Sequence, residues 1–188
     1  SVSPEIESRK WVLATISSLK DPGMIAFPTH RLLRIPRMTE GRVVQSIETR
    51  FDVERLQGFR AIEHELRMTV GPSLCIAFKS GTAYKATPVT HDKDDAMWQI
   101  DSFVFQEQML KKVLFSIGTP DEIEIEYDHD VRSVESKMRK GKHDMSVLLR
   151  PPNLELVWTL AAAGQRLPKK TTYFWPKIWS GFLFYRML

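Results

Sequence analysis

A single cysteine, Cys75, among 188 residues excludes a disulfide framework within the chain and favours a reducing compartment. It sits in the apolar run Ser73-Leu-Cys-Ile-Ala-Phe78, where it reads as a small buried hydrophobe, without the basic surroundings of an activated thiol. No apolar stretch approaches the roughly 20 residues needed to cross a bilayer, and Ser1 to Lys10 lacks the basic-then-apolar order of a signal peptide. The expectation is a soluble cytoplasmic protein with no membrane partner. A Gly-x-Ser-x-Gly elbow is absent, as is a glycine-rich cradle of the Walker or Rossmann kind, which argues against those hydrolase and mononucleotide-binding classes. The five histidines, at 30, 64, 91, 129 and 143, show no His-x-x-x-His spacing, so no metal site is predicted. Excess of one charge is also small. Lysine and arginine number 27 against 23 acidic residues, a net charge of +4 and a pI near 9.2, which is thin for a duplex-binding surface. The sequence names no cofactor.

What is present suffices for a core: 43% of residues are hydrophobic, enough for one generous domain. Trp11 to Ile16 and Met24 to Phe27 look like paired strands joined by the turn residues Lys20-Asp-Pro-Gly23. Between Thr39-Glu-Gly41 and Arg67, apolar residues at mostly helical spacings predict two short helices. Leu74 to Phe78, the Ser80-Gly81 turn and Thr82 to Val89 predict a hairpin. From Ser102, the positions Phe105, Met109, Leu110, Val113 and Leu114 predict a long helix that Gly118 and Pro120 end. Ile123-Glu-Ile-Glu-Tyr127 alternates as a strand with its glutamates toward water. An Asp128-His-Asp130 cap opens a helix that Gly141 closes, Met145 to Leu149 is a strand, and Asn153 caps a helix running to Gly164. The fold class is therefore α+β: a mixed, largely antiparallel sheet with packed helices, whose C-terminal half reads βαβα and then a final strand, Ser180 to Leu188. No internal repeat or low-complexity segment interrupts it.

The most chemically suggestive stretch is Leu167-Pro-Lys-Lys-Thr-Thr-Tyr-Phe-Trp-Pro-Lys177. Lys169, Lys170 and Lys177 supply point charges, and Thr171, Thr172 and Tyr173 supply hydroxyls, a combination suited to phosphate or carboxylate groups. The alternative is a connector whose aromatics simply pack. Phe27-Pro-Thr-His-Arg31 sets Thr29, His30 and Arg31 beside an apolar strand. There His30 could bind an anion or move a proton, or serve as a hydrogen-bonded structural group. Tyr127-Asp-His-Asp130 is explained by helix capping. Arg31, Arg34 and Arg37 form a small cluster that could suit nucleic acid but also fits a solvated edge strand.

On three motifs, Asp21-Pro-Gly-Met-Ile-Ala-Phe-Pro-Thr-His-Arg31, Ile100-Asp-Ser-Phe-Val-Phe105 and Lys170-Thr-Thr-Tyr-Phe-Trp-Pro-Lys177 with Ser180-Gly181 after it, the chain resembles the C-terminal part of the conserved domain-of-unknown-function family 1015. The resemblance runs from about Trp11 to the end. The family pattern prefers a serine where Thr171 stands and a leucine-valine pair where Asp101-Ser102-Phe103 follows Ile100. Full-length members carry an upstream Asp-Gly-His-His-Arg segment that looks like the motif of ParB-like domains and of a free-serine kinase, and this sequence has no such segment. The resemblance thus implies that residues 1–188 form a single domain, the C-terminal portion of a larger protein, with that N-terminal domain as partner.

The reading of residues and resemblance together is a domain that binds a phosphorylated small molecule or nucleotide through Lys169, Lys170, Thr171, Thr172, Tyr173 and Lys177, with Thr29, His30 and Arg31 as companions. If the protein is an enzyme, the reaction class is phosphoryl transfer, with the N-terminal part required. The alternative is a non-catalytic module that packs on the missing N-terminal domain or on another protein.

Overall fold

The computed structural model describes residues 14–92 and 94–177. The chain divides into two compact units, one of residues 26–173 and one of the flanking segments 1–25 and 174–188. The flanking unit holds the turn that the sequence predicts: the Asp21 side chain accepts from the Gly23 N–H at 2.8 Å, and its carbonyl accepts from Met24 N–H at 3.1 Å. Ala14, Thr15 and Ile16 are exposed and irregular, so the expected strand before this turn is not formed there, and residues 11–13 of it lie outside the described residues. The expected final strand, Ser180 to Leu188, lies outside them too.

The larger unit is built on a six-stranded sheet in the order β3-β5-β4-β7-β2-β6. These strands are β2 (His30–Arg34), β3 (Phe51–Leu56), β4 (Leu74–Phe78), β5 (Ala83–Pro88), β6 (Glu124–Asp128) and β7 (Met145–Leu148), following a short β1 (Ile25–Phe27) and preceding a short β8 (Tyr173–Trp175). Every neighbouring pair in the sheet runs antiparallel. The middle strands β4, β7 and β2 are buried nearly throughout. Helices cover both faces, and that is why β4 reads as an unbroken apolar run while the outer strands β3 and β6 carry exposed positions.

One face carries α1 (Glu40–Glu48) and α3 (residues 101–117), over a core that includes Leu33, Ile47, Phe51, Ile76, Phe105 and Val113. Helix α3 runs continuously through an α-helical turn (Asp101–Val104), a π-wound stretch (Phe105–Leu114) and a closing turn (Phe115–Ile117). The other face carries α2 (Phe59–Met68) and α4 (Val131–Arg139), over Leu32, Ile62, Cys75, Val134 and Leu148. A third cluster of Met97, Ile100 and Leu160 seats α5 (Leu154–Ala162).

Local signals explain the boundaries. Asp130 accepts from the Arg132 and Ser133 N–H groups at the start of α4, and Asn153 does the same for Glu155 and Leu156 at α5. Gly141 (φ 71°) and Gly164 (φ 74°) close those helices in the left-handed conformation. Between the two helices expected over residues 41–67 the chain forms β3, which helical spacing had concealed. Phe51 and Leu56 are buried in it, but the intervening Asp52, Glu54 and Arg55 are exposed on an edge strand. Cys75 is 3% exposed, and burial pushes its thiol up to about 12, which makes it inert core. Among the described residues no helix is long and apolar enough to cross a membrane.

Candidate functional site

The start of β2 brings Thr29, His30 and Arg31 into the interior, at 7%, 0% and 2% exposure. Strand alternation separates the last two: Arg31 shares a face with Leu33 and α3, and His30 shares the opposite face with Leu32.

The Arg31 guanidinium lies 5.2 Å from the Phe105 ring centre and 5.8 Å from that of Tyr127. It donates to the Thr29 carbonyl and, at 3.4 Å, to that of Lys170. Its Nε has no partner among the described residues, and none of their carboxylates forms an ion pair with it. Burial pulls its pKa down to about 10, against the pull of Tyr127 and Asp101, so it remains a buried cation at neutral pH. Arg31 ties the strand to the loop that holds Thr171. That loop turns on Lys170, whose φ of 61° is left-handed. The Thr171 hydroxyl donates to the Pro168 carbonyl at 2.7 Å and lies 2.7 Å from the Ser102 hydroxyl.

Thr29, Ser102 and Thr171 line a cleft of about 400 Å³, here cleft A, together with Asp101, Arg150, Asn153 and the segment Thr69 to Gly71. Its two opposite charges are matched to each other. Asp101 Oδ2 accepts from the Arg150 backbone N–H at 2.8 Å and from its Nε at 3.0 Å, Oδ1 accepts from Nη2, and Nη1 donates to the Thr69 carbonyl at 3.0 Å. Helix α3 begins in this wall without a side-chain cap, and the Phe103 and Val104 N–H groups both donate to the Ile100 carbonyl, at 2.8 and 3.2 Å, so only those of Asp101 and Ser102 remain for a ligand. With the Asp101–Arg150 pair neutral as a unit, Arg31 behind the wall gives the cleft a positive bias.

On the other face lies cleft B, of about 430 Å³, walled by His30, Glu63, Arg67, Asp130, Val131 and Arg132, and sharing Leu149 and Pro151 with cleft A. His30 Nδ1 accepts from the Leu149 N–H at 3.2 Å, which leaves the ring proton on Nε2. That nitrogen is buried and has no partner among the described residues. Burial lowers the pKa of His30 to about 4, with Asp128 opposing, so the ring is neutral at physiological pH.

The candidates read from sequence therefore scatter. Thr29 and Thr171 meet in cleft A, with Arg31 bracing them, and His30 belongs to cleft B. Lys169 and Lys170 are exposed and line neither cleft; the Lys170 ammonium lies 5.9 Å from the Tyr127 ring centre. Thr172 is half-buried, and Tyr173 stacks on His129 with ring centres 4.4 Å apart and planes 8° apart. Lys177 is exposed in the flanking unit. Sequence reasoning misses Asp101, Ser102 and Arg150 as site residues: the first two sit where the long helix begins, and Arg150 follows the strand Met145 to Leu149 with no motif of its own. Arg67 and Arg132 carried no signal beyond their helices. Of the arginine cluster, Arg31 is buried, and Arg34 and Arg37 face Glu124 and Glu122, each at 3.7 Å. Among the described residues no group of three or more His, Cys, Asp or Glu could hold a metal ion.

No family model matches the chain, and no curated protein matches it. Solved structures do. A conserved hypothetical protein from Pyrococcus furiosus superposes with a TM-score of 0.59 at 16% identity, over 85% of this chain and 60% of that one. A mutant of a free serine kinase in complex with AMP gives a TM-score of 0.59 at 16% identity over 86% of this chain and 58% of that one, and a mutant in complex with ADP gives 0.57 at 16% identity over the same shares. At such identity the likeness concerns the fold. The chain spans about three fifths of the length of these structures.

Proposed function

We propose that cleft A binds a nucleotide or another phosphorylated small molecule, and that the chain does so as the C-terminal part of a larger protein of the domain-of-unknown-function family 1015. The observation that carries this reading is the buried Arg31 guanidinium, which has no ion-paired carboxylate among the described residues and stands behind the walls formed by Thr29 and Thr171. A buried cation without a counter-charge is costly, and an anionic ligand in the cleft would offset that cost. The Asp101 and Ser102 N–H groups at the uncapped first turn of α3 would receive phosphate oxygens, and the Ser102 hydroxyl, which donates to Thr171, would turn to one of them. The fold shared with a kinase whose solved structures hold AMP and ADP supports a nucleotide as the anion. Lys169 and Lys170, exposed beside this loop, would attract the ligand from a distance. Any phosphoryl transfer would use these groups to position and neutralise the phosphate, with reactive groups from the upstream segment.

Thermal-shift and calorimetric titrations with AMP, ADP and a panel of phosphorylated metabolites test this, on this chain and on one with the upstream segment restored. Stabilisation by a nucleotide is expected in both, with affinity lowered roughly tenfold by Thr171→Val or Ser102→Ala. Stabilisation confined to the longer protein and indifferent to both substitutions would make this part a scaffold. That second reading is favoured by Trp158, 63% exposed on α5, a side chain suited to a protein contact.

A further inference from the structure

Cleft B contains a polar group that the fold does not use. The Nδ1 of His30 has a structural duty, accepting the Leu149 N–H, but its Nε2–H is sealed in the interior with no acceptor among the described residues. Leaving a buried donor unpaired costs about 1–3 kcal/mol, and buried polar atoms are seldom left so.

The side chains around it point to what could satisfy it. Arg67 at the end of α2 and Arg132 at the start of α4 are exposed, and neither forms an ion pair among the described residues. Two carboxylates share the wall. Asp130 Oδ1 is spent on its own helix, accepting from Arg132 N–H at 2.7 Å and Ser133 N–H at 3.2 Å. Glu63 and the Asp130 Oδ2 are left to face the two guanidinium groups. His30, the two arginines and the two carboxylates line a space of about 430 Å³.

We propose that cleft B is a second binding site, for the oxyanion of a small metabolite, a carboxylate or phosphate group held by the His30 Nε2–H and by the guanidinium groups of Arg67 and Arg132. A neutral imidazole donor differs from a third cation in one useful respect: it contributes a hydrogen bond without adding charge, so Glu63 and Asp130 together balance the two arginines and keep the cleft close to neutral. The site is separate from cleft A, on the opposite face of the sheet, and does not depend on a nucleotide binding there. The shared Leu149 and Pro151 place the two ligands next to each other across the end of β7.

The test is an NMR titration of the chain with inorganic phosphate, with acetate and, at matched ionic strength, with chloride, following the His30 ring nitrogens and the backbone amides of Val131 and Arg132. Saturable shifts with phosphate, acetate or both are expected, and the anion that produces them identifies the oxyanion. Arg67→Ala and Arg132→Ala should each weaken binding roughly threefold, and the double variant roughly tenfold, the size expected of exposed charge contacts. Both sites of substitution are exposed, so folding is not at stake, and an unmoved Leu149 amide confirms that. Absence of saturable shifts with both oxyanions, equal shifts with chloride, or unchanged affinity in the double variant would overturn the proposal. The amides of Ser102 and Thr171 report separately on cleft A, so a failure there leaves this result distinct.

Discussion

Clefts A and B are of similar size, lie at the same end of the sheet and share two residues, yet their charges are in opposite conditions. In cleft A, Asp101 and Arg150 satisfy each other almost completely, through side chain and backbone together. In cleft B, Arg67 and Arg132 have no ion-paired partners among the described residues, and the buried His30 donor has none. The kinds of charged residue in a wall are thus a poor guide to its role. What separates framework from binding group is which of their hydrogen-bonding positions are already occupied. By this measure the Asp101–Arg150 pair is framework, and so are the Ser102 and Thr171 hydroxyls, bonded to each other and to the Pro168 carbonyl; the anion proposed for cleft A depends on the start of α3 and on Arg31.

The largest contrast should come from breaking one charge on each side. Asp101→Ala leaves Arg150, only 18% exposed at its side chain, without its partner, and an uncompensated charge of this kind costs about 3 kcal/mol. Arg67→Ala should change stability by less than about 0.5 kcal/mol. Urea unfolding of the two variants measures both. Equal losses would remove the distinction between the clefts.

Next in size is a pH effect belonging to His30. Its pKa is about 4 in the folded chain against an ordinary 6.5, so below 6.5 the unfolded chain takes up a proton that the folded one refuses. Stability is therefore complete above pH 6.5 and falls as pH drops toward 4, by up to about 3 kcal/mol. Carboxylates held below their ordinary range act lower on the scale. Hydrogen bonds from Lys137 keep Glu126 down, and at Asp128 those from Lys137 and Ser133 overcome burial; these groups release stability only below about 4.5. Unfolding measured from pH 7 to 5 should lose its slope in His30→Gln, and an unchanged slope would assign the effect elsewhere.

A smaller effect attaches to the hydroxyl pair of cleft A. Ser102→Ala and Thr171→Val should each cost about 1 kcal/mol, and a double-mutant cycle should return a coupling of similar size. Smallest is Lys170→Gly. Relief of the left-handed strain is offset in part by the added freedom of the unfolded chain, leaving a gain of about 0.5 kcal/mol.

The α+β class, the antiparallel sheet and the C-terminal βαβα order were legible because those segments carry clean periodicity and capping residues: Asp130, Asn153, Gly141 and Gly164 all act where the sequence places them. Edge strand β3 was not, since Phe51, Val53 and Leu56 on a strand can also satisfy a helical spacing. The site was legible in its pieces only. Thr29, Arg31 and Thr171 do come together, but lysines that look decisive in a linear sequence turn outward, while Arg150 and Asp101, 49 positions apart, become partners only through the fold. That His30 and Arg31 would face opposite sides follows from strand alternation, but which side holds a ligand depends on neighbours that the sequence does not place.

The most direct test is an NMR-monitored titration with ADP of the chain alone and of a longer protein that carries the proposed upstream segment. Saturable binding that moves the amides of Ser102, Thr171 and Asp101 is expected in both. Binding that leaves those amides still, or no binding in either protein, would contradict a nucleotide site in cleft A.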